Sequence, residues 1–335
     1  MLHFQLRYIH QNMNFEPDIN ENDILTLGKE VLDALLRDHT TGENIFWATS
    51  DYECLGEGYG YKKPILPELV TGENNKVVMP RVLKSKEQQT SRAKDMAEVF
   101  TPSWVCNAQN NLVDEAWFGR KDVFNTTSDD GKAWEATADP ITFPEGKTWK
   151  DYVRATRMEI TCGEAPYLVS RYDTTTGEPI PLQQRIGMLD RKLRVVSENT
   201  TTSGEWLEMT QEAYKNIYGF EWQGDNLLLA REALLFTYVD FYADKFKKMP
   251  PIDDLKEVAE IISWNIWQMD GLKGVVPDSC HDIIQPASLF GDTEEEVAHC
   301  LGCEKNNIRA HNGLYCMVMD WEKGEAIQYI SLLKR

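Results

Sequence analysis

An α/β fold is the class this sequence predicts, on three observations. Three short β-favouring runs each end at a glycine or an acid: 158–161 at Cys162-Gly163, 217–220 at Glu221, and 265–269 at Asp270-Gly271. Between them lie segments whose apolar residues recur at helical spacing, the alternation that builds a parallel sheet. Finally, 42% of the 335 residues are hydrophobic, enough for a large domain with appendages or for two to three units. In such folds a small ligand sits outside the carboxyl ends of the strands, against backbone that lacks a bulky Cβ. The organising stretch is 157–172, RMEITCGEAPYLVSRY.

Taken in order, 1–22 is polar and is expected to be partly extended. The periodicity predicts a helix over 23–39, with Asn22 or Asp23 as cap and Ile24, Leu27, Val31, Leu32, Leu35 and Leu36 on one face. Short β-like pieces follow over 45–78. Arg81, Lys84, Lys86, Arg92 and Lys94 then form a basic cluster, read as a solvated face, with contact to DNA phosphates or a partner as the alternative. After Phe100-Thr101-Pro102 a helix begins near Ser103, with Val105, Ala108, Leu112, Val113 and Ala116 expected inside. Residues 119–150 read as an insertion or long loop. Helices are expected over 182–198 and 205–216, from Asp225 or Asn226 onwards, and over 252–262. A β-hairpin is expected around Lys323-Gly324.

The formal charge of −19 disfavours autonomous nucleic-acid binding, since such a surface repels phosphate. No apolar run approaches membrane-spanning length and the N-terminus lacks a signal-peptide core, so a soluble cytoplasmic protein with no membrane partner is expected. Ten Trp point to large cores or interfaces. Glu221, at the tip of the second strand, can accept from both hydroxyls of a ribose, or can cap a strand end or pair with a cation. Asp270 can accept from an exocyclic amine, or serve as a turn aspartate.

The ordered set of Phe100-Thr101-Pro102 and its helix, the Cys162-Gly163 corner, Glu221 and Asp270 resembles the S-adenosylmethionine-binding half of adenine-N6 DNA methyltransferases of restriction–modification systems. It looks most like their modification (M) subunits, over roughly residues 81–277. The resemblance implies a Rossmann-like class I methyltransferase core. In it Phe100, Thr101 and Pro102 would cover the methionine part of the cofactor, Glu159, Cys162 and Gly163 would wall the cleft, Glu221 would hold the ribose and Asp270 would meet the adenine amine. Ala165-Pro166 departs from the family pattern where a second glycine is usual. The family's Asn/Asp-Pro-Pro-Tyr/Phe motif, which grips the flipped adenine, does not occur. The expectation is therefore a split enzyme, in which a partner polypeptide carries that motif and target recognition and the complex engages DNA. The alternative is a degenerate methyltransferase-fold scaffold or sensor without catalysis.

Four of the seven cysteines, Cys280, Cys300, Cys303 and Cys316, lie in the last fifth of the chain, and Cys300 and Cys303 form a Cys-x2-Cys knuckle. Four thiolates suit tetrahedral structural zinc, with His281, His299 and His311 each able to replace one. The expected organisation is an N-terminal accessory unit (1–80), the cofactor-binding core (81–279), a zinc-binding insertion (280–316) and a C-terminal β-hairpin (317–335).

Overall fold

The computed structural model describes residues 17–95, 98, 101–285 and 296–333. Phe100 lies outside them. Two helices open this part of the chain, α1 (Glu21–Leu27) and α2 (Lys29–Leu36), where one was expected. Gly28 parts them: its φ of 146° is open to glycine and strained for other residues. Short helix α3 (Pro67–Val70) and helices α4 (Lys86–Asp95) and α5 (Ser103–Phe118) follow. The expected loop over 119–150 contains an antiparallel pair, β1 (Asn125–Thr127) with β2 (Trp134–Ala136), and the start of α6 (Trp149–Arg154).

The centre is a three-stranded parallel sheet, ordered β3 (Arg157–Ile160), β4 (Ile217–Glu221) and β5 (Ile266–Gln268). Parallel neighbours need long crossovers. Helices α7 (Met188–Asn199) and α8 (Ser203–Lys215) supply the first, and α9 (Gly224–Phe246) and α10 (Ile252–Asn265) the second. The register pairs Glu159 with Gly219 and Glu221 with Gln268, so the carboxyl ends of all three strands lie at one end of the sheet. A mixed α/β architecture with small sheets is what the chain adopts.

One face of the sheet packs on the main core, which runs from Ile19 through Trp47, Val78, Leu193 and Trp206 to Ile266. Residues of 17–80 therefore share this core with the crossover helices. Along α9 every residue from Gly224 to Tyr242 is buried, the polar Asp225, Asn226, Arg231, Glu232, Thr237 and Asp240 included. Its buried Arg231 is satisfied by carbonyls: Nε donates to Ile266 O (2.7 Å), Nη1 to Leu35 O (2.6 Å) and Arg37 O (2.9 Å), and Nη2 to Ser263 O (3.1 Å). These are orphan carbonyls at the ends of α2 and α10, where helix dipoles favour a cation. Elsewhere on α9, Glu232 is buried close to Glu21 of α1, and among the described residues no other residue donates to either carboxyl.

The opposite face carries a smaller cluster, Phe220, Trp267, Met269, Val276, Cys316 and Val318. It lies under the antiparallel hairpin β8 (Met317–Asp320) and β9 (Glu325–Gln328), which turns at Gly324. Between the sheet and the hairpin come β6 (Ile283–Gln285), β7 (Glu296–Ala298) and α11 (Leu301–Lys305). Among the described residues no helix is long and apolar enough to cross a membrane.

Helix α5 reverses the expected orientation. Ser103, Cys106, Asn107, Asn110 and Asp114 are buried, whereas Leu112 and Val113 are 65% and 40% exposed. The cause is Arg191 of α7, buried and in need of acceptors. It donates to Asp114 Oδ2 (2.6 Å), Asn107 Oδ1 (2.9 Å) and Asn111 Oδ1 (2.7 Å). Hydrogen-bonding a buried guanidinium outweighs burying a leucine and a valine.

Candidate cofactor cleft and metal centre

At the tip of β3 the chain crosses to β4, Cys162 N donating to Phe220 O at 2.9 Å, and then turns sharply. Gly163 has φ 52°, and a Cβ built there meets nothing within 4 Å, so open space faces this backbone. Ala165 has φ 62°. The residue that departs from the family pattern thus holds the left-handed conformation a glycine would take, at a penalty of about 1 kcal/mol. Glu159, buried on β3, accepts from Leu168 N (3.1 Å) and so anchors the segment after the turn. Burial pushes its pKa well above the carboxylate range, against the N–H groups of Tyr167 and Leu168. Cys162 is buried, and its thiol is likewise pushed up by burial and then by Glu221.

Glu221 joins two strand tips. Its Oε2 accepts from Gly163 N at 2.9 Å, and its Oε1 from Trp222 N at 2.9 Å and Gln223 N at 3.3 Å. Burial raises its pKa and these N–H groups oppose the rise. Asp270, at the third tip, closes a turn: Oδ1 accepts from Leu272 N (3.0 Å) and Lys273 N (3.2 Å), and Oδ2 lies 3.2 Å from Lys273 Nζ. Thr101 and Pro102 stand at the start of α5. The Thr101 side chain hydrogen-bonds Tyr167, its carbonyl accepts from Thr174 Oγ1 (3.3 Å), and Ser103 N donates to Asp173 (2.8 Å). The Thr-Pro segment is therefore brought against 167–174, directly after the Gly163 corner.

The basic cluster does not form a solvated face throughout, because Lys84 and Arg92 turn inward. Asp225, in the first turn of α9, lies 3.2 Å from Lys84 Nζ and 2.9 Å from Arg92 Nη2, and accepts from Tyr52 OH at 2.8 Å. Arg92 also reaches Glu98 and Asp51, each at 2.6 Å, and Gln223 at 2.9 Å. Burial works to raise the Asp225 pKa, but Lys84 and Arg92 hold it below its ordinary value. Beside this network, Glu164 accepts from Arg81 N and Tyr172 OH, each at 2.7 Å, and burial pushes it up to about 7. Partners this remote leave no local mark in a sequence.

The metal centre is drawn from three segments: Cys280, the Cys300–Cys303 knuckle and His311. Cys280, Cys300, Cys303 and His311 bring their ligand atoms within 4.8 Å of one another. His311 Nδ1 stands 3.5 Å from Cys280 Sγ, 3.7 Å from Cys300 Sγ and 3.6 Å from Cys303 Sγ. Tetrahedral zinc, with Zn–S of about 2.3 Å and Zn–N of about 2.05 Å, requires S···N of about 3.6 Å. The four could therefore hold a metal such as zinc. Glycines let the segments meet: a Cβ at Gly302 would lie 2.5 Å from His311 N, and one at Gly313 would lie 3.0 Å from Cys280 Sγ. Burial acts to raise the Cys300 thiol, but N–H donation from Asn312 (3.3 Å) and Cys303 carries it down to about 6.

Cys316, expected as the fourth ligand, is not in the cluster. It is fully buried in the smaller core, and its thiol donates to Gln268 O at 3.4 Å. Its backbone follows the 270–276 turn, Cys316 N bonding Gly274 O (3.1 Å), which fixes it against β5. His311 takes the place, and its position eight residues beyond the knuckle was the available signal. His281 lies outside the cluster, and His299 pairs with Asp282 at 2.9 Å. No protein-family model, curated protein or solved structure matches this chain.

Proposed function

We propose that the chain is the S-adenosylmethionine-binding part of an adenine-N6 DNA methyltransferase of a restriction–modification or related defence system. In this reading a partner polypeptide supplies the Asn-Pro-Pro-Tyr motif and target recognition. The observation that carries it is the junction of two adjacent parallel strand tips, Gly163 N to Glu221 Oε2 at 2.9 Å, with open space facing Gly163. Bound there, S-adenosylmethionine would supply an activated methyl group for transfer to the exocyclic amine of adenine in DNA.

The chain's own residues would bind and orient. A carboxylate offers about four acceptor positions. Backbone N–H groups fill three of those on Glu221, which fixes its orientation and leaves one for a ligand hydroxyl. Gly163 admits close approach to the backbone, and Thr101 and Pro102 stand over the segment that follows. Asp270 is committed to its turn and to Lys273, so it would shape the far wall more than grip the base. No general base from this chain is invoked. A net charge of −19 leaves contact with DNA phosphates to the partner. Zinc held by Cys280, Cys300, Cys303 and His311 would be structural, since four protein ligands leave no open position.

Titration calorimetry with S-adenosylmethionine tests the reading. Saturable binding that Glu221→Ala abolishes is the expected result. Absence of binding, with and without a partner, would remove the methyltransferase reading and leave the scaffold. Methyl transfer to DNA by this chain alone would refute the division of labour.

A further inference from the structure

Two of the strand-tip acids, Asp270 and Glu221, are joined to the metal centre by short hydrogen-bonded paths. The chain runs from Asp270 directly to Cys280, and from His311 directly to Cys316. These two straps pair with each other. Val276 N donates to Leu314 O (2.8 Å), Cys316 N to Gly274 O (3.1 Å) and Leu314 N to Ser279 Oγ (3.0 Å). Within the first strap, Gly274 N donates to Asp270 O (2.7 Å) and Asp270 N to Val275 O (2.8 Å). A metal that holds Cys280 and His311 closes both straps at the ends that do not enter the sheet. Without it, the pairing of 274–279 with 314–316 must close the intervening loop unaided, at a cost in chain entropy.

Electrostatics reinforces the path to Asp270. The Lys273 ammonium stands 3.2 Å from Asp270 Oδ2, and it also lies in the field of the Cys303 and Cys280 thiolates. Zinc held by three thiolates and a neutral imidazole carries a single net negative charge, which a nearby ammonium offsets.

The path to Glu221 crosses from another part of the chain. Asp278, two residues before Cys280, accepts from Tyr61 OH at 2.8 Å, and that hydroxyl accepts from Trp222 Nε1 at 3.1 Å. Burial, and then the bond to Asp278, push the Tyr61 pKa up to about 12, so the hydroxyl stays a donor. Tyr61 is itself fixed, since Ala48 N donates to its carbonyl at 2.9 Å. Trp222 follows Glu221 directly, and its backbone N–H is one of those that hold the Glu221 carboxylate.

We propose that metal bound by Cys280, Cys300, Cys303 and His311 sets the positions of Asp270 and Glu221, so that the metal centre and the strand-tip cleft are thermodynamically coupled. Lys273 and Tyr61 are the positioning residues that carry this coupling, one to each acid. The proposal deepens the function given above, on which only the identity of the cleft's ligand rests. The coupling itself is read without that ligand.

Amide hydrogen exchange of the full chain, with zinc bound and after its removal by a chelator, reads both ends. The amides of Leu272 and Lys273 report on Asp270 and those of Trp222 and Gln223 on Glu221, because each donates to that carboxylate. Loss of zinc is expected to speed exchange at all four by about tenfold, while α9 stays protected. Tyr61→Phe, with zinc retained, should speed exchange at Trp222 and Gln223 and leave Leu272 and Lys273 as they were. If chelation unfolds the whole chain, this variant decides alone. Lys273→Met should weaken zinc about tenfold against a competing chelator, and Lys273→Arg should restore it. Tip amides indifferent to zinc, Trp222 and Gln223 indifferent to Tyr61→Phe, zinc affinity indifferent to Lys273→Met, or a chain that holds no zinc overturns the proposal. Calorimetry with S-adenosylmethionine separates it from the function given above, with binding expected to be about fivefold weaker or more without zinc. Exchange coupling with no S-adenosylmethionine bound would keep the coupling and discard the methyltransferase reading. Binding equally tight with and without zinc would overturn the coupling to the cleft.

Discussion

Replacing Glu21 by glutamine should stabilise the protein, and increasingly so as pH rises. Glu21 and Glu232 are 1% and 0% exposed, and among the described residues no other residue donates to either carboxyl. Burial pushes the Glu21 pKa far above its ordinary value of 4.5, its own backbone N–H opposing the rise and Asp18 adding to it; Glu232 is raised by burial and then by Glu21. A raised acid pKa means that the folded state keeps a proton which the unfolded state releases. Its stability is then fully present below pH 4.5 and declines as pH climbs towards the folded-state pKa. The decline is about 1.4 kcal/mol per pH unit, or roughly 3 kcal/mol at pH 7 for one such group. Glutamine keeps the shape and removes the titration. Its amide needs partners, and the neutral Glu232 carboxyl offers a carbonyl oxygen to it, so the net gain at pH 7 should be about 1–3 kcal/mol. Urea unfolding of both proteins at pH 5, 6, 7 and 8 measures it. Equal stabilities with equal pH slopes, or a variant that loses stability at pH 8, would refute the reasoning.

Other consequences can be measured independently. Arg231→Met should destabilise the fold by about 3–5 kcal/mol in urea or thermal unfolding, because it strands the carbonyls of Leu35, Arg37, Ser263 and Ile266. A mild effect would mean that those carbonyls have other partners. Elemental analysis should find one zinc per chain in protein purified without chelators, lost in His311→Ala and in Cys303→Ala and retained in Cys316→Ala. Zinc lost from Cys316→Ala and kept by His311→Ala would reverse the ligand assignment.

The three parallel strands were legible in the sequence because each is a β-favouring run stopped by a glycine or an acid. The helix break at Gly28 was not, since Ile24, Leu27, Val31 and Leu32 keep one apolar rhythm across it. What periodicity could not reveal were pairs of distant polar residues. Arg191 draws Asn107 and Asp114 inward over separations of 84 and 77 residues, and this decides which face of α5 meets solvent. Lys84 and Arg92 look like surface charge until Asp225, 141 residues beyond Lys84, is placed between them. At the metal centre, spacing identified the knuckle, while the choice of His311 over Cys316 depended on the turn that ties Cys316 to β5.

The bonds from Arg231 to Leu35 and Arg37 span 196 and 194 residues. At a synthesis rate of about 5–20 residues per second, the C-terminal end of α2 waits roughly 10–40 s for the side chain that caps it. Through that interval the apolar faces of α1 and α2 have left the ribosome but lack α9 and α10, the helices against which they pack. Nascent chains halted before α9 should therefore expose hydrophobic surface and recruit chaperones, and lengthening the chain through α10 should release them. The arginine makes the beginning of this protein depend, during its birth, on residues not yet translated.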